Sequence, residues 1–384
     1  MSAWPVKPLG QLIEEVSERN RDIGCTNVYS VTNSQGFIPS EDYFNKKVFS
    51  KDITNYKLVR RGMFAYNPSR INVGSISWLQ SEECVAVSPL YVVFRIKEEN
   101  ILQRWIEYFL RSDMGLTQIR SLTSGSVRDT LKYSALARIE IPIAPIEQQR
   151  EMVENLEAAD EAIEVCNGLL EKTEELVKSR FIEMFGDSVT NSKGYPVYKF
   201  SDITTSRLGK MLDKKRQTGK NKYPYLANYN VQWFRLELDN LNEMDFDEAD
   251  RKEFELRNGD LLVCEGGEVG RCAIWRGEKE NCYFQKALHR VRCDPKYIIP
   301  EYLGWTFYWH SQYNGFIDAI SGVSTIAHLP GDKLKQLQII VPPIDLQNQF
   351  ADFVAIADKS KLVIRELIEK QELMKAAMMQ QYFG

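Results

Sequence analysis

The chain has 384 residues, of which 43% are hydrophobic and 27% charged, with a net charge of −4; this is the make-up of an ordinary soluble protein with room for two domains. The longest uncharged aromatic stretch, Tyr302 to Ile317, is too short and too polar to span a bilayer, and Met1-Ser-Ala-Trp-Pro-Val-Lys7 lacks the apolar core of a secretory signal. The seven cysteines (Cys25, Cys84, Cys166, Cys264, Cys272, Cys282, Cys293) form no C-x-x-C pair and His289, His310 and His328 are scattered, so reduced, buried thiols in a cytoplasmic protein are expected and a metal site is not.

In chain order, Trp4-Pro-Val-Lys-Pro-Leu9 reads as an extended lead-in followed by a short helix or turn. Two β-branched and aromatic runs follow, Val28–Thr32 before the turn residues Asn33-Ser-Gln-Gly36, and Met63–Tyr66 before Asn67-Pro68. Ile101 to Ile119 reads as an amphipathic helix packed on the resulting sheet. The stretch Leu136-Ala-Arg-Ile-Glu-Ile-Pro-Ile-Ala-Pro145-Ile-Glu-Gln-Gln149 then leads into a long helix closing on Met184-Phe-Gly186. Along it Met152, Leu156, Ala159, Ile163, Cys166, Leu170, Thr173 and Val177 alternate by four and three, the seam of a coiled coil.

The second half repeats this order. Tyr195-Pro-Val-Tyr-Lys-Phe200 matches the first lead-in, Asp260–Cys264 and Arg271–Trp275 read as strands, and Pro300 to Ile317 as the helix. Leu334-Lys-Gln-Leu-Gln-Ile-Ile-Val-Pro-Pro343-Ile-Asp-Leu-Gln347 opens a final helix closing on Tyr382-Phe-Gly384. From Pro145/Pro343 to Gly186/Gly384 the offset is a constant 198 residues, so the chain is a tandem duplication. The second helix keeps Phe350, Val354, Ala357, Ile364, Ile368 and Met378 in the seam but places Lys361, Gln371 and Lys375 there. A second stripe, Phe353, Ile356, Val363, Leu367 and Met374, widens its apolar face. The seam lysines either set orientation against the acidic first helix or, at Lys375, lie in an exposed frayed end.

Charge is unevenly spread. Residues 147 to 187 hold twelve acids against four bases, leaving the rest of the chain at +4. Between Arg207 and Lys222 seven bases face only Asp213, a run that reads as a loop attracted to a polyanion or as a solvated surface loop. Catalytic patterns are missing. Glu265-Gly-Gly-Glu-Val-Gly270 joins two strands rather than opening a helix as a phosphate loop must. Asn67-Pro68-Ser69-Arg70 lacks the second proline and the aromatic of the amino-methyltransferase motif that it superficially resembles, and no Glu-x-Lys tripeptide occurs.

These patterns predict an α+β chain of two similar globular domains separated by two long helices that pair as an antiparallel coiled coil with pseudo-two-fold symmetry. The boundaries fall at 1–145, 146–187, 188–342 and 343–384. Two readers held apart by a helical spacer make a molecular ruler for DNA, whose duplex repeats every 34 to 36 Å.

Pro145-Ile-Glu-Gln-Gln149 after an Ile-x-Ile-Pro strand, Ser124-Gly-Ser126 with Arg128, the Gly259-Asp-Leu-Leu-Val263 strand with Gly266 to Gly270, and the helices ending in Phe-Gly resemble the specificity subunit of type I restriction-modification enzymes over essentially the whole chain. The resemblance implies two target-recognition domains that each read half of a split double-stranded DNA sequence. It further implies two adenine-methylating modification subunits using S-adenosylmethionine that dock on the helices, and restriction subunits driven by ATP, with no catalysis and no cofactor in this chain. Leu346 stands where Gln148 stands in the first copy, which makes the two docking surfaces unequal.

The resemblance does not carry over base-reading residues, so these come from side-chain chemistry: Arg and Lys grip phosphate or guanine, Asn and Gln pair with adenine. In the first domain they are Asn33, Ser34, Gln35, Lys46, Lys47, Asn67, Ser69, Arg70 and Asn72, with Arg128 on phosphate. In the second, Lys210, Lys214, Lys215 and Arg216 would grip the backbone while Asn228, Asn230, Gln232 and Arg271 read bases. Trp233 and Trp275 suit core packing or stacking on an extruded base. A scaffold that assembles proteins without reading DNA, a methyltransferase fragment, and the specificity subunit of a related fused restriction-methylation enzyme remain the other readings.

Overall fold

In the computed structural model of the chain the described residues are 4–22, 24–33, 35–41, 50, 52–123, 130–187, 190–213, 217–313 and 328–384. The first repeat comprises strands β1 (Val6–Pro8), β2 (Ile13–Val16), β3 (Tyr29–Thr32), β4 (Gly36–Pro39), β5 (Lys57–Arg60), β6 (Phe64–Tyr66), β7 (Ile76–Trp78), β8 (Cys84–Val87) and β9 (Val92–Ile96). Helices α1 (Gln103–Arg111), α2 (Asp113–Leu122) and α3 (Tyr133–Leu136), strand β10 (Glu140–Pro142) and the long helix α4 (Ile146–Phe185) complete it. The second comprises β11 (Val197–Lys199), α5 (Phe200–Ile203), β12 (Thr204–Leu208), β13 (Lys222–Leu226), β14 (Val231–Gln232), β15 (Arg235–Leu236), β16 (Asn242–Asp245) and α6 (Glu248–Glu253). Then come β17 (Leu261–Cys264), β18 (Cys272–Ile274), β19 (Tyr283–Phe284), β20 (Leu288–Cys293), α7 (Pro300–Tyr313), α8 (Gly331–Gln336), β21 (Gln338–Ile340) and the long helix α9 (Ile344–Phe383).

The duplication extends to strand order. The main sheet of the first repeat runs β2-β9-β6-β7 and that of the second β12-β20-β17-β18, each antiparallel throughout. In each repeat the lead-in strand pairs with the strand just before the long helix, β1 with β10 and β11 with β21. Both faces of each main sheet are covered. Phe64 and Tyr66 face one core and Ala65 another, just as Leu261 and Val263 face one and Leu262 and Cys264 another. A strand buried on both sides needs an unbroken apolar run, which is why Leu261-Leu-Val-Cys264 does not alternate.

By its contacts the chain divides into two compact units, Met1–Gly168 with Arg365–Gly384, and Leu169–Ile364. Each unit therefore holds one globular part, the nearer half of its own long helix and half of the other. In the first unit Val153 and Leu156 of α4 share a core with Met378, Met379 and Phe383 of α9, and the Lys375 ammonium donates to the Asp160 carboxylate. In the second, Val177, Phe181 and Phe185 meet Phe350, Val354 and Ala357. Early residues of one helix meet late residues of the other, so the pairing is antiparallel, and Lys375 faces the acidic helix rather than fraying. The seam positions Phe350, Val354, Ala357, Lys361, Ile364, Ile368, Gln371, Lys375 and Met378 are all buried or half-buried, as the heptad spacing predicts.

Both long helices stop in the same way: Gly186 and Gly384 adopt left-handed φ angles of 74° and 98° and return their N–H groups to Ile182 and Gln380. Phe185 and Phe383, just before these glycines, plug the two cores. Phe383 packs 4.6 Å from Trp105, which Trp4 also meets at 5.7 Å, and Phe185 packs 4.7 Å from Tyr302.

One predicted helix is two. The stretch Ile101 to Ile119 breaks at Ser112, whose extended backbone and Oγ cap α2 by accepting the Gly115 N–H at 3.2 Å. Gly115 is obligatory there, since a Cβ would lie 2.0 Å from the Phe109 carbonyl oxygen. The predicted helix Pro300 to Ile317 runs to Tyr313, its last turn lying outside the described residues, as does Ser124-Gly-Ser126. Among the described residues no helix is long and apolar enough to cross a membrane.

Because Phe383 is 2% exposed against two aromatic rings, Phe383→Ala should destabilise the first unit by about 3–5 kcal/mol. Denaturant unfolding followed by tryptophan fluorescence checks this, with Met374→Ala, at an exposed position on the same helix, shifting the midpoint little.

Candidate nucleic-acid interface

Two loops singled out for unrelated reasons in the sequence occupy the same place in the two repeats. Asn67 to Ser75 joins β6 to β7, and Glu265 to Arg271 joins β17 to β18. Each is closed from behind by the leucine that follows the domain's helices: Leu131 N–H donates to the Pro68 carbonyl at 3.1 Å and Leu329 N–H to the Glu265 carbonyl at 2.7 Å. His289, buried at 1% exposure, also bonds the Leu329 carbonyl at 2.9 Å, and burial lowers its pKa. His310 is likewise a core residue, its pKa pushed down to about 4 by burial.

In the first unit the loop is joined to the β3–β4 turn. Ser75 Oγ donates to the Val31 carbonyl at 2.6 Å, and Thr32 Oγ1 accepts the Gln35 N–H at 3.0 Å, fixing the turn that exposes Asn33 and Gln35. Ser69 and Arg70 are exposed, whereas Asn67 and Asn72 are half-buried. Asn67 Oδ1 accepts the Ser69 N–H at 3.0 Å, a turn-forming bond that leaves less of this amide for a base. Asn33 and Gln35 line a cleft of about 1080 Å³ whose other wall includes Arg104, Arg111, Asp160 and Lys375. Five carboxylates against three cations line that cleft, so the two amides face a setting that repels phosphate. Ser34, Lys46, Lys47 and Arg128 lie outside the described residues.

In the second unit Asn228 and Arg271 come together around the Gly-rich loop, while the Gln232 amide donates to the Tyr229 carbonyl at 3.0 Å. Arg271 Nη2 donates to the Asn228 carbonyl at 2.9 Å and Nη1 to Glu268 at 3.2 Å, while Trp233 Nε1 also donates to Glu268. Glu268, which the sequence reading passed over, is thus the residue that holds this surface together. Gly267 and Gly270 adopt φ of 76° and 84°, which lets the loop fold against Asn228.

Several expectations are corrected here. Asn230 is 3% exposed, its Oδ1 accepting the Ala227 N–H and its Nδ2 donating to the Glu237 carbonyl, so it braces a turn and does not present an edge to a base. The Lys210 ammonium is bound to the Asp250 carboxylate and to the Asp245 carbonyl at 2.6 Å, and lies 5.0 Å over the Phe246 ring. Arg207 pairs with Glu253. The basic run is therefore tethered at its start, and its other end is tethered too: the Asp245 carboxylate accepts the Thr218 hydroxyl and Gly219 N–H at 2.8 Å and the Asn221 N–H at 3.1 Å. A loop that self-repels needs such anchors, and the acids that supply them lie 24 to 46 residues away in sequence. Lys214, Lys215 and Arg216, in the middle of the run, lie outside the described residues. Trp275 is 2% exposed and belongs to the core; Trp233 packs edge-on against Tyr308.

The family model described as the type I restriction modification DNA specificity domain matches residues 19–175 and 192–373. The type I restriction enzyme EcoKI specificity subunit of Escherichia coli is 23% identical over 292 residues, 71% of this chain and 61% of that protein, so the chain spans about three fifths of that relative's length. Among solved structures, the type I restriction-modification S subunit from M. genitalium superposes with a TM-score of 0.57 at 11% identity, over 99% of this chain and 96% of that one. A chain from a structure on complex assembly and conformational transition of the type I R-M system gives 0.60 at 16% identity, over 100% and 98%.

Burial works to raise the pKa of Asp245, but the bonds from Thr218, Gly219 and Asn221 outweigh it and hold the carboxyl below its ordinary 3.8. A depressed folded value means that the anchor is fully present above the unfolded pKa and is lost as pH falls through the lower folded one. Protection of the Thr218, Gly219 and Asn221 amides, taken relative to their intrinsic exchange rate at each pH, should therefore be high at neutral pH and fall below about pH 3.8. In Asp245→Asn that protection should be lost at neutral pH as well.

Proposed function

This chain belongs to the type I restriction modification DNA specificity family, and on that premise we propose that it is a DNA-recognition subunit in which each of two recognition domains reads one half of a bipartite duplex target. The single observation that carries this reading is the duplication itself: two parts with the same sheet order, held on two antiparallel helices. A two-fold duplicated reader is matched to a split target, because each half-site meets an equivalent surface. The β6–β7 loop with Ser69 and Arg70, and the β17–β18 loop that Arg271 braces through Glu268 and the Asn228 carbonyl, are the surfaces offered to the duplex.

The chain makes no chemical step of its own. Methyl transfer, with S-adenosylmethionine, belongs to modification subunits, two of which dock on the long helices; restriction subunits supply ATP-driven cleavage. The second apolar stripe of α9 supports this docking. Ile356, Val363, Leu367 and Met374 are 65%, 55%, 45% and 47% exposed, and on α4 Val165, Leu169 and Leu176 are 56%, 46% and 56% exposed. Exposed apolar residues recurring along one face of a helix mark a protein interface.

The role is tested by mapping methylated adenines in cells carrying the modification gene with and without this chain. A split motif of two short half-sites, methylated only when the chain is present, is the expected result. An unchanged map, with both proteins expressed and associated, overturns the reading in favour of a protein scaffold. Ile356→Glu with Leu367→Glu should abolish co-purification of the modification subunit while leaving the melting temperature within about 2 °C, since neither side chain is buried.

A further inference from the structure

Two buried glutamines occupy equivalent places in the repeats with the same bonds. Gln149, in the first turn of α4, and Gln347, in the first turn of α9, are each 0% exposed. Gln149 Oε1 accepts the Leu102 N–H at 3.1 Å, while its Nε2 donates to the Asn100 carbonyl at 3.1 Å and the Ala144 carbonyl at 2.7 Å. Gln347 Oε1 accepts the Ile299 N–H at 3.0 Å, while its Nε2 donates to the Tyr297 carbonyl at 2.9 Å and the Pro342 carbonyl at 2.8 Å. Each amide thus ties three backbone segments together: the long helix, the linker feeding it, and the segment leading into α1 or α7.

A primary amide meets this demand by itself, because it offers one acceptor and two donors. Leu102 precedes α1 with no side-chain cap of its own, so the glutamine oxygen satisfies a group that would otherwise be orphaned. The surroundings of the two pins have diverged. Beside Gln149 stands Gln148 and beside Gln347 stands Leu346. Arg104, Glu107 and Tyr108 of α1 stand where Glu301, Gly304 and Trp305 stand in α7. An attachment held constant while the parts that it attaches differ points to selection on geometry rather than on any one packing arrangement.

We infer that Gln149 and Gln347 are positioning residues that fix each recognition domain at a set angle and register on its long helix, and so set how strictly the spacing between half-sites is enforced. This rests on the recognition role proposed above. A domain free to rock on its helix would still read its half-site sequence, but it would accept that half-site at neighbouring distances.

The test uses the full chain in complex with its modification subunit, with Gln149→Leu and, as a core control, Leu136→Ala at another fully buried site of the same unit. Methylation is measured on duplexes whose half-sites are unchanged and whose spacer is shortened or lengthened by one base pair. In parallel, the distance distribution between labelled unnatural amino acids at exposed Ser121 and Glu161 is measured by electron resonance. Gln149→Leu should lower the preference for the native spacer about tenfold and at least double the distribution width, as expected when a supporting hydrogen-bond set is lost. Gln149→Glu, which turns a carboxylate onto two carbonyl oxygens, should behave alike. Leu136→Ala should lower the melting temperature but keep the spacer profile and the width. A glutamine variant with the wild-type profile and width overturns the inference. If the wild-type complex methylates no split site, the recognition role fails, and the distance width alone decides the pin.

Discussion

A helix of 40 residues with an apolar face on one side cannot be stable alone in water, and this chain has two of them. Everything else in the structure follows from how their faces are covered. Each end is sunk into a globular core, Val153 and Leu156 of α4 and Phe383 of α9 in one unit, Phe181 and Phe185 of α4 and Phe350 of α9 in the other. A buried phenylalanine or leucine contributes about 1.5–3 kcal/mol, so these few side chains outweigh the Lys375–Asp160 pair, which is 30% and 43% exposed and contributes about 0–1 kcal/mol. The aromatic plugs, rather than the ion pair, hold the helix ends in place.

The same frame is filled by opposite chemistries. In the first unit Glu107, 4% exposed at its side chain, is held by Arg104 at 2.9 Å and Arg111 at 3.2 Å, and Ser77 Oγ donates to it at 3.0 Å. Arg104 reaches on to Glu157 of α4, and the Tyr108 hydroxyl to Asp160 at 2.9 Å. In the second unit the corresponding stretch of α7 carries Gly304 and Trp305, and the seam is built of rings: Phe181, Phe185, Tyr302, Trp305 and Phe350. Removing either arginine would leave a buried carboxylate short of charge, whereas the aromatic seam tolerates repacking. Phe234 lies stacked 4.6 Å from Trp305 with a φ of 60°, a conformation costly for a bulky residue and held here by that packing.

For the interface, loops could be found in the sequence but the work of single side chains could not. Asn67-Pro68 and Glu265 to Gly270 stand out because prolines and glycines punctuate strands, and both loops are where the repeats present backbone. Asn230 and Asn228 look interchangeable in a string of letters, yet one is buried in a turn and the other borders the Gly-rich loop. Lys210 has the chemistry of a phosphate contact, but Asp245 and Asp250, remote in sequence, occupy it. Glu268 sits in a stretch that reads only as a Gly-rich turn, whereas it is the joint on which Trp233 and Arg271 meet.

The duplication, the strand and helix types, and the heptad seam were determined by the sequence alone, because each rests on local periodicity or on a fixed offset of 198 residues. The tertiary structure alone decided which side chains are spent on holding the fold. Partners of buried polar groups lie tens of residues apart: Gln149 reaches back to Asn100 and Leu102, Gln347 to Tyr297 and Ile299, and Lys375 across to Asp160. Periodicity tells a residue's face, but not the partner that waits there. A hydrogen bond is short-ranged and directional, so that choice exists only once the chain has folded.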